Sequence, residues 1–287
     1  MMKFNETEKM PFDVAKAIRE RESTRTFEPK PLSPEDKAAL LGFYESQTNP
    51  FGVKVRVQYV SKETGGENIK LGTYGTIKGA KDFLALTVKD KPFAMEAVGY
   101  QFENFVLKAT DMGLGTVWLA ATFSRKDFER SMEIKDGELF PCICPIGYPL
   151  GRRSILERVT RASLGSKNRK AWSKIFFDGD FDHPLSENAS GAYRNALEML
   201  RLAPSATNSQ PWAVVKEGNE FHFFNDYKAG VSSDVEKIKH VDLGIALSHF
   251  HQTALQDGLN GKFEIRDIKF DFPENMHYVL SFCASVS

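Results

Sequence analysis

Two short stretches of the chain carry residue types suited to chemistry. The first is Arg21-Glu22-Ser23-Thr24-Arg25-Thr26-Phe27. In an extended segment, residues two apart face the same side, so Arg21, Ser23 and Arg25 converge. Two guanidiniums and a hydroxyl at one point form an anion clamp, with charge-assisted bonds worth about 1.5–3 kcal/mol each when desolvated. A solvated basic turn has the same composition. The second stretch is Leu202-Ala203-Pro204-Ser205-Ala206-Thr207-Asn208-Ser209-Gln210-Pro211-Trp212. Its prolines and short polar side chains can neither continue a helix nor fill a central strand, so it reads as a shaped loop. With Ser205, Asn208 and Gln210 directed outward it suits a flat ligand with many acceptors. A well-capped turn is the plainer reading.

Apolar periodicity supplies the elements that must hold these stretches. A short helix over 11–20 opens onto the Arg21 segment, and Ser33-Pro34-Glu35-Asp36 starts another that runs to about Tyr44. Val53, Val55, Val57 and Tyr59 alternate as a half-buried strand, and a further strand covers Phe83 to Val88. Val98, Phe102, Phe105, Val106 and Ala109 mark a long helix from Ala94 to Met112, a central spine ended by Gly113. A strand over 117–123 runs into a bend before Ser124. A helix from about Glu187 leads into the second loop. Strands are expected at Phe221 to Phe224, Lys262 to Ile268 and Met276 to Phe282.

The order Pro-Ser-x-x-Asn-x-Gln-Pro-Trp resembles the loop by which one subunit of a nitroreductase-family flavoenzyme reaches across the dimer interface to its partner's FMN. The Arg-x-Ser-x-Arg segment is similar to the one that grips the FMN phosphate in that family, although Glu22 stands where many relatives carry a second base. The resemblance implies further roles. Ser166-Lys167-Asn168-Arg169-Lys170 looks like the late basic segment that closes over the same phosphate, through Lys167 and Arg169. Gly72 to Ala80 occupies the place beside the flavin ring, through Tyr74 and Lys78. The bend after Trp118 presents a backbone amide to the flavin N5, at Leu119 or Ala120. Pro204, Ser205 and Asn208 belong to the covering loop.

An internal repeat sharpens the resemblance. Gly99-Tyr100-Gln101-Phe102-Glu103-Asn104-Phe105 sets against Gly244-Ile245-Ala246-Leu247-Ser248-His249-Phe250. The leading glycines and the terminal pairs Gly113-Leu114 and Gly258-Leu259 are all offset by 145 residues. Asn49-Pro50-Phe51 is an eroded counterpart of Gln210-Pro211-Trp212. The expected architecture is therefore α+β, a nitroreductase-like fold in two tandem halves, each a mainly antiparallel sheet packed by helices. Residues 1–180 carry the clamp and 181–287, shortened, carry the loop. This is the pattern of the fused, pseudo-dimeric members of the family. Each part of the site is intact in only one half, so one FMN per chain and a functional monomer are expected.

Composition bounds the alternatives. The chain has 287 residues, with 38 basic against 38 acidic side chains, so no global field argues for nucleic acid or an anionic membrane. Between Arg152 and Lys174 eight bases face the single acid Glu157. A nucleic-acid patch around Trp172 is one reading of that run, and the phosphate-closing segment is the better one. Three cysteines and no metal-ligand quartet fit a reducing compartment, the cytoplasm. Cys142 and Cys144, two apart, read as buried small hydrophobes. His249 and His251 point to different sides of a helix and make a poor metal pair. No acid, base or nucleophile constellation stands out, which fits a reaction carried by a cofactor. The implied activity is an FMN-dependent oxidoreductase taking electrons from NAD(P)H to a small acceptor such as a nitroaromatic or quinone. A flavin-binding or sensory protein without turnover is the alternative.

Overall fold

The computed structural model describes residues 4–61, 72–151 and 168–285. Helix α1 (Val14–Glu20) is capped by the Asp13 side chain and α2 (Pro34–Ser46) by Ser33, with Pro34 in the first turn, as the sequence signals require. Strands β1 (Val55–Ser61), β2 (Asp82–Lys89), β3 (Gly115–Thr116) and β4 (Glu138–Gly147) form an antiparallel sheet in the order β1-β2-β4-β3. A second sheet, ordered β5-β6-β7-β9-β8, contains β5 (Phe176–Asp178), β6 (Trp212–Glu217), β7 (Glu220–Asp226), β8 (Gly261–Glu264) and β9 (Met276–Ala284). Its pairings are antiparallel except β5 with β6, which is parallel. Helices α3 (Ala94–Asp111), α4 (Arg125–Glu129), α5 (Arg194–Arg201) and α6 (Ser233–Gln256) follow, with short 3-10 turns at Trp172–Lys174, Gly191–Tyr193 and Ala206–Asn208. Among the described residues no helix is long and apolar enough to cross a membrane. The chain is α+β, with two mainly antiparallel sheets packed by helices, as expected.

Helices α3 and α6 form the spine. Helix α3 is buried on almost every face between Ala94 and Leu107, and α6 is buried from Val241 to Ala254. A helix with no exposed stripe belongs inside the molecule. Where the two cross, the repeat glycines set the spacing. A Cβ on Gly99 would stand 2.1 Å from the Val241 carbonyl oxygen, and one on Gly244 would stand 2.2 Å from that of Glu96. The contact is reciprocal, because Val241 and Glu96 each precede their glycine by three residues. The reciprocity continues one turn on. Ser248 donates to Asn104 at 2.7 Å, and the matched pair with the offset reversed, His249 and Glu103, meets at 3.0 Å.

One apolar core runs through both sheets and both spine helices. Leu84, Phe102 and Phe105 on one side are continuous with Leu247, Phe250 and Phe282 on the other. Phe105 stacks on Phe102 at 5.1 Å, and its repeat mate Phe250 meets Phe223 at 5.3 Å. Each buried phenylalanine contributes about 1.5–3 kcal/mol by leaving water.

Some elements differ from expectation. The α-helix foreseen from Glu187 begins at Arg194, because turns at 187–190 and a 3-10 helix over Gly191–Tyr193 precede it. The strand foreseen over 117–123 is confined to Gly115–Thr116, with Leu119 alone bridging Ile143 before the chain bends. The strand foreseen from Lys262 to Ile268 ends at Glu264. Strand β5, which precedes residue 180, pairs with the second sheet and not the first.

Candidate functional site

Helix α5 delivers the chain into the loop at Leu202, and Ala203 is buried behind it. Thr207, Asn208 and Gln210 then take positive φ angles of 52°, 56° and 47°. Such angles are uncommon for side chains other than glycine and must be held from outside. Ser205 Oγ accepts the Gln210 amide at 2.8 Å. The Gln210 side chain is buried, accepting from the Lys170 amide at 2.8 Å and donating to the Asn208 carbonyl at 3.1 Å. The outward orientation expected of Gln210 is thus reversed. Buried amides must satisfy both ends, and the basic segment at 168–170 supplies the partner.

That segment is stitched to the loop by Arg169, which donates to Asn208 Oδ1 at 3.1 Å and to the Leu202 carbonyl at 3.0 Å. Burial pushes the Arg169 guanidinium down to about 10, and the positive charges of Arg21 and Arg201 push the same way. Positions 21, 169 and 201 therefore converge in space. Lys167 lies outside the described residues.

The clamp segment is gripped by its neighbours along its backbone. Ser23 bridges Thr116, the Lys78 amide donates to the Arg25 carbonyl at 2.9 Å, and the Phe27 amide donates to the Lys78 carbonyl at 2.8 Å. Gly79 makes this approach possible, since a Cβ there would stand 1.9 Å from the Phe27 carbonyl oxygen. Lys78 is exposed beside Arg25, and Tyr74 is exposed on the turn just before it. At the bend, the amide and carbonyl of Leu119 are both bonded to Ile143 at 2.9 Å. The Leu119 N–H is spent inside the sheet, so of the two residues foreseen as ring-facing donors Leu119 does not have its amide free for that role.

Two further groups emerge only in three dimensions. Glu103 and His249 are fully buried on the spine, 3.0 Å apart. Trp118 Nε1 donates to Glu103 Oε2 at 2.8 Å, and Arg21 Nε stands 4.0 Å from Glu103 Oε1. Glu103 thereby links the clamp to the bend. The sequence signal was an acid and a histidine one position out of register in the repeat, Glu103 matching Ser248 and His249 matching Asn104. Asp242, also buried on α6, accepts the Ala206 amide of the loop at 2.9 Å, and its second oxygen has no hydrogen-bond partner among the described residues.

Residues 13–254 match the family described as "Putative TM nitroreductase". The chain belongs to this nitroreductase family. Among solved structures, a "putative nitroreductase" from Thermotoga maritima is similar over 96% of this chain and 94% of its own, at 19% identity and a TM-score of 0.58. That likeness shows a shared fold over nearly the whole length. A "Putative NADH dehydrogenase/NAD(P)H nitroreductase" from Bacteroides thetaiotaomicron is 21% identical, covering 50% of this chain and 91% of that one, with a TM-score of 0.42. A nitroreductase with bound FMN from Bacteroides fragilis is 16% identical, covering 50% and 95%, with a TM-score of 0.39. No curated protein sequence matches. Within this nitroreductase-family chain, Arg169 joins the basic segment to the loop, Asp242 of α6 accepts from the loop, and Glu103 of α3 lies 4.0 Å from Arg21 of the clamp segment.

Proposed function

We propose that the chain is an FMN-dependent oxidoreductase that takes electrons from NAD(P)H and passes them to a small organic acceptor such as a nitroaromatic or quinone. The observation that carries the reading is Arg169. It joins the basic segment to the loop by donating to Asn208 Oδ1 and the Leu202 carbonyl, and burial beside Arg21 and Arg201 disfavours its charge, which an arriving phosphate ester would favour again. Arg21, Arg25, Lys167 and Arg169 would neutralise that phosphate, Ser23 would donate to it, and Pro204, Ser205 and Asn208 would cover the ring, with Tyr74, Lys78 and Ala120 on its other flank. FMN, when bound, supplies the hydride and electron chemistry. The protein's part is to bind, orient and exclude water.

The reciprocal contacts at the α3–α6 crossing support a second part of the reading: two nitroreductase-like halves fused into a pseudo-dimer, divided near residue 180. Isologous contacts of this kind belong to a two-fold axis. The clamp is found before α3 only, and the intact loop before α6 only, so one site per chain is built within a monomer. Three unpaired thiols and a nicotinamide donor suit a reducing cytoplasm.

Stopped-flow absorbance on the FMN-loaded protein tests the activity. The flavin should bleach on mixing with NADH or NADPH and recover on adding a nitroaromatic or quinone. A flavin that stays oxidised would mark a binding or sensory protein instead. Titration should end at one FMN per chain in a monomer by light scattering; two FMN per chain, or a site formed only between chains, would sink the pseudo-dimer reading.

A further inference from the structure

The pair Glu103 and His249 has a property that follows from its partners alone. His249 Nδ1 lies 3.0 Å from the Met199 carbonyl oxygen. A carbonyl can only accept, so Nδ1 carries a hydrogen. The other nitrogen, Nε2, lies 3.0 Å from Glu103 Oε1. Two arrangements satisfy this contact: an imidazolium donating to a carboxylate, or a neutral imidazole accepting from a carboxylic acid. A single proton lies between the two groups in either case, and their summed charge is zero in both. The second oxygen of Glu103 takes the Trp118 indole N–H at 2.8 Å. Arg21, whose side chain is only 9% exposed, stands 4.0 Å from the first.

We propose that Glu103 and His249 act together as an electrically neutral brace that positions Arg21 for an anionic phosphate ester without discharging it. The inference rests on the reading of Arg21 as part of the FMN phosphate clamp. A lone buried carboxylate beside Arg21 would orient the guanidinium but offset its charge, and the incoming phosphate would meet a neutral pair. With His249 cancelling the carboxylate, the orientation is kept and Glu103 does not offset the positive charge of Arg21. The matching position across the crossing holds Asn104 and Ser248, which are neutral but offer no carboxylate to direct a guanidinium. Glu103 is a positioning residue, and His249 acts through it.

The test compares FMN with riboflavin, which lacks the phosphate, by fluorescence quenching at pH 8. His249→Gln leaves the Glu103 charge uncancelled, so the FMN dissociation constant should rise roughly tenfold or more while that of riboflavin stays put. The double variant E103Q/H249Q removes the carboxylate charge as well and should return FMN affinity most of the way to wild type. Parallel losses for both ligands, or a double variant no better than the single, would overturn the brace. Should His249→Gln fail to fold, 15N NMR of histidine-labelled wild type at pH 8 decides: a hydrogen on Nδ1 of His249, donated to the Met199 carbonyl, is expected, and a bare Nδ1 refutes the proposal. Wild type that binds riboflavin as tightly as FMN would instead remove the clamp on which the inference rests, and the inference with it.

Discussion

Asp242 accepts the Ala206 amide at 2.9 Å and so ties the middle of α6 to the loop that carries Ser205 and Asn208. Burial raises this carboxyl from its usual acid range to about 7. Because the folded value lies above the unfolded one, its contribution to stability is full below about pH 4 and is lost as pH rises through about 7. Asp242→Asn keeps an acceptor for Ala206 and abolishes the titration. In urea unfolding from pH 4 to 8, the variant should match wild type at the acid end and become more stable by up to about 4 kcal/mol above pH 7. His251, held down to about 4 by burial, titrates in both proteins and drops out of the difference. Parallel curves would show that Asp242 is already neutralised in another way.

Arg169→Ala should separate phosphate recognition from folding. The variant loses two hydrogen bonds, to Asn208 and Leu202, but also relieves a desolvated like-charge contact. The melting point without ligand should therefore change little, whereas the dissociation constant for FMN should rise about ten- to a hundredfold and that for riboflavin far less. Calorimetry with both flavins reads the contrast, and equal losses would argue against a phosphate at this point.

The glycines at the spine crossing should tolerate nothing larger. Gly99→Ala or Gly244→Ala drives a Cβ to within 2.1 or 2.2 Å of a backbone oxygen, which only separation of the helices can relieve. A loss of about 3 kcal/mol or more is expected in chemical denaturation. Gly42→Ala in α2, where no atom lies within 4 Å of the added Cβ, should instead stabilise by about 0.5–1 kcal/mol. The same chemical change with opposite signs isolates the contact from helix propensity.

Thiol chemistry should follow burial. Cys144 is pushed up to about 12 and Cys142 higher still, both by desolvation on β4. A disulfide reagent at pH 8 should find neither in the native protein and should react slowly, if at all, with half-buried Cys283. In denaturant all three should titrate. Fast labelling of two native thiols would contradict the packing of β4.

The long elements were legible because their signals are local. The period of α3, the Ser33 cap of α2 and the alternation of β1 are each set by residues within a few positions of one another. The 145-residue offset also led directly to Gly99 and Gly244, which meet in space. The direction of Gln210 was not legible, since it depends on Lys170, forty residues away in sequence and beside it in the fold. The same holds for Leu119, whose amide looked available until Ile143 of β4 was seen to take it. Glu103 and His249 stood in view within the repeat, but their meaning depends on Arg21, Trp118 and Met199 arriving from three other segments.

The reciprocity of the spine has an evolutionary consequence. Where two copies of one polypeptide meet about an axis, each substitution appears on both sides at once, so a change useful to one side must be endured by the other. If the chain is the fused pair proposed above, joining both sides keeps the partner at hand however dilute the protein becomes, and each position could then vary alone. Glu103 with His249 and Asn104 with Ser248 hold matching places across the crossing yet carry unlike chemistry. A duplicated gene can spend that freedom by specialising one side and silencing the other.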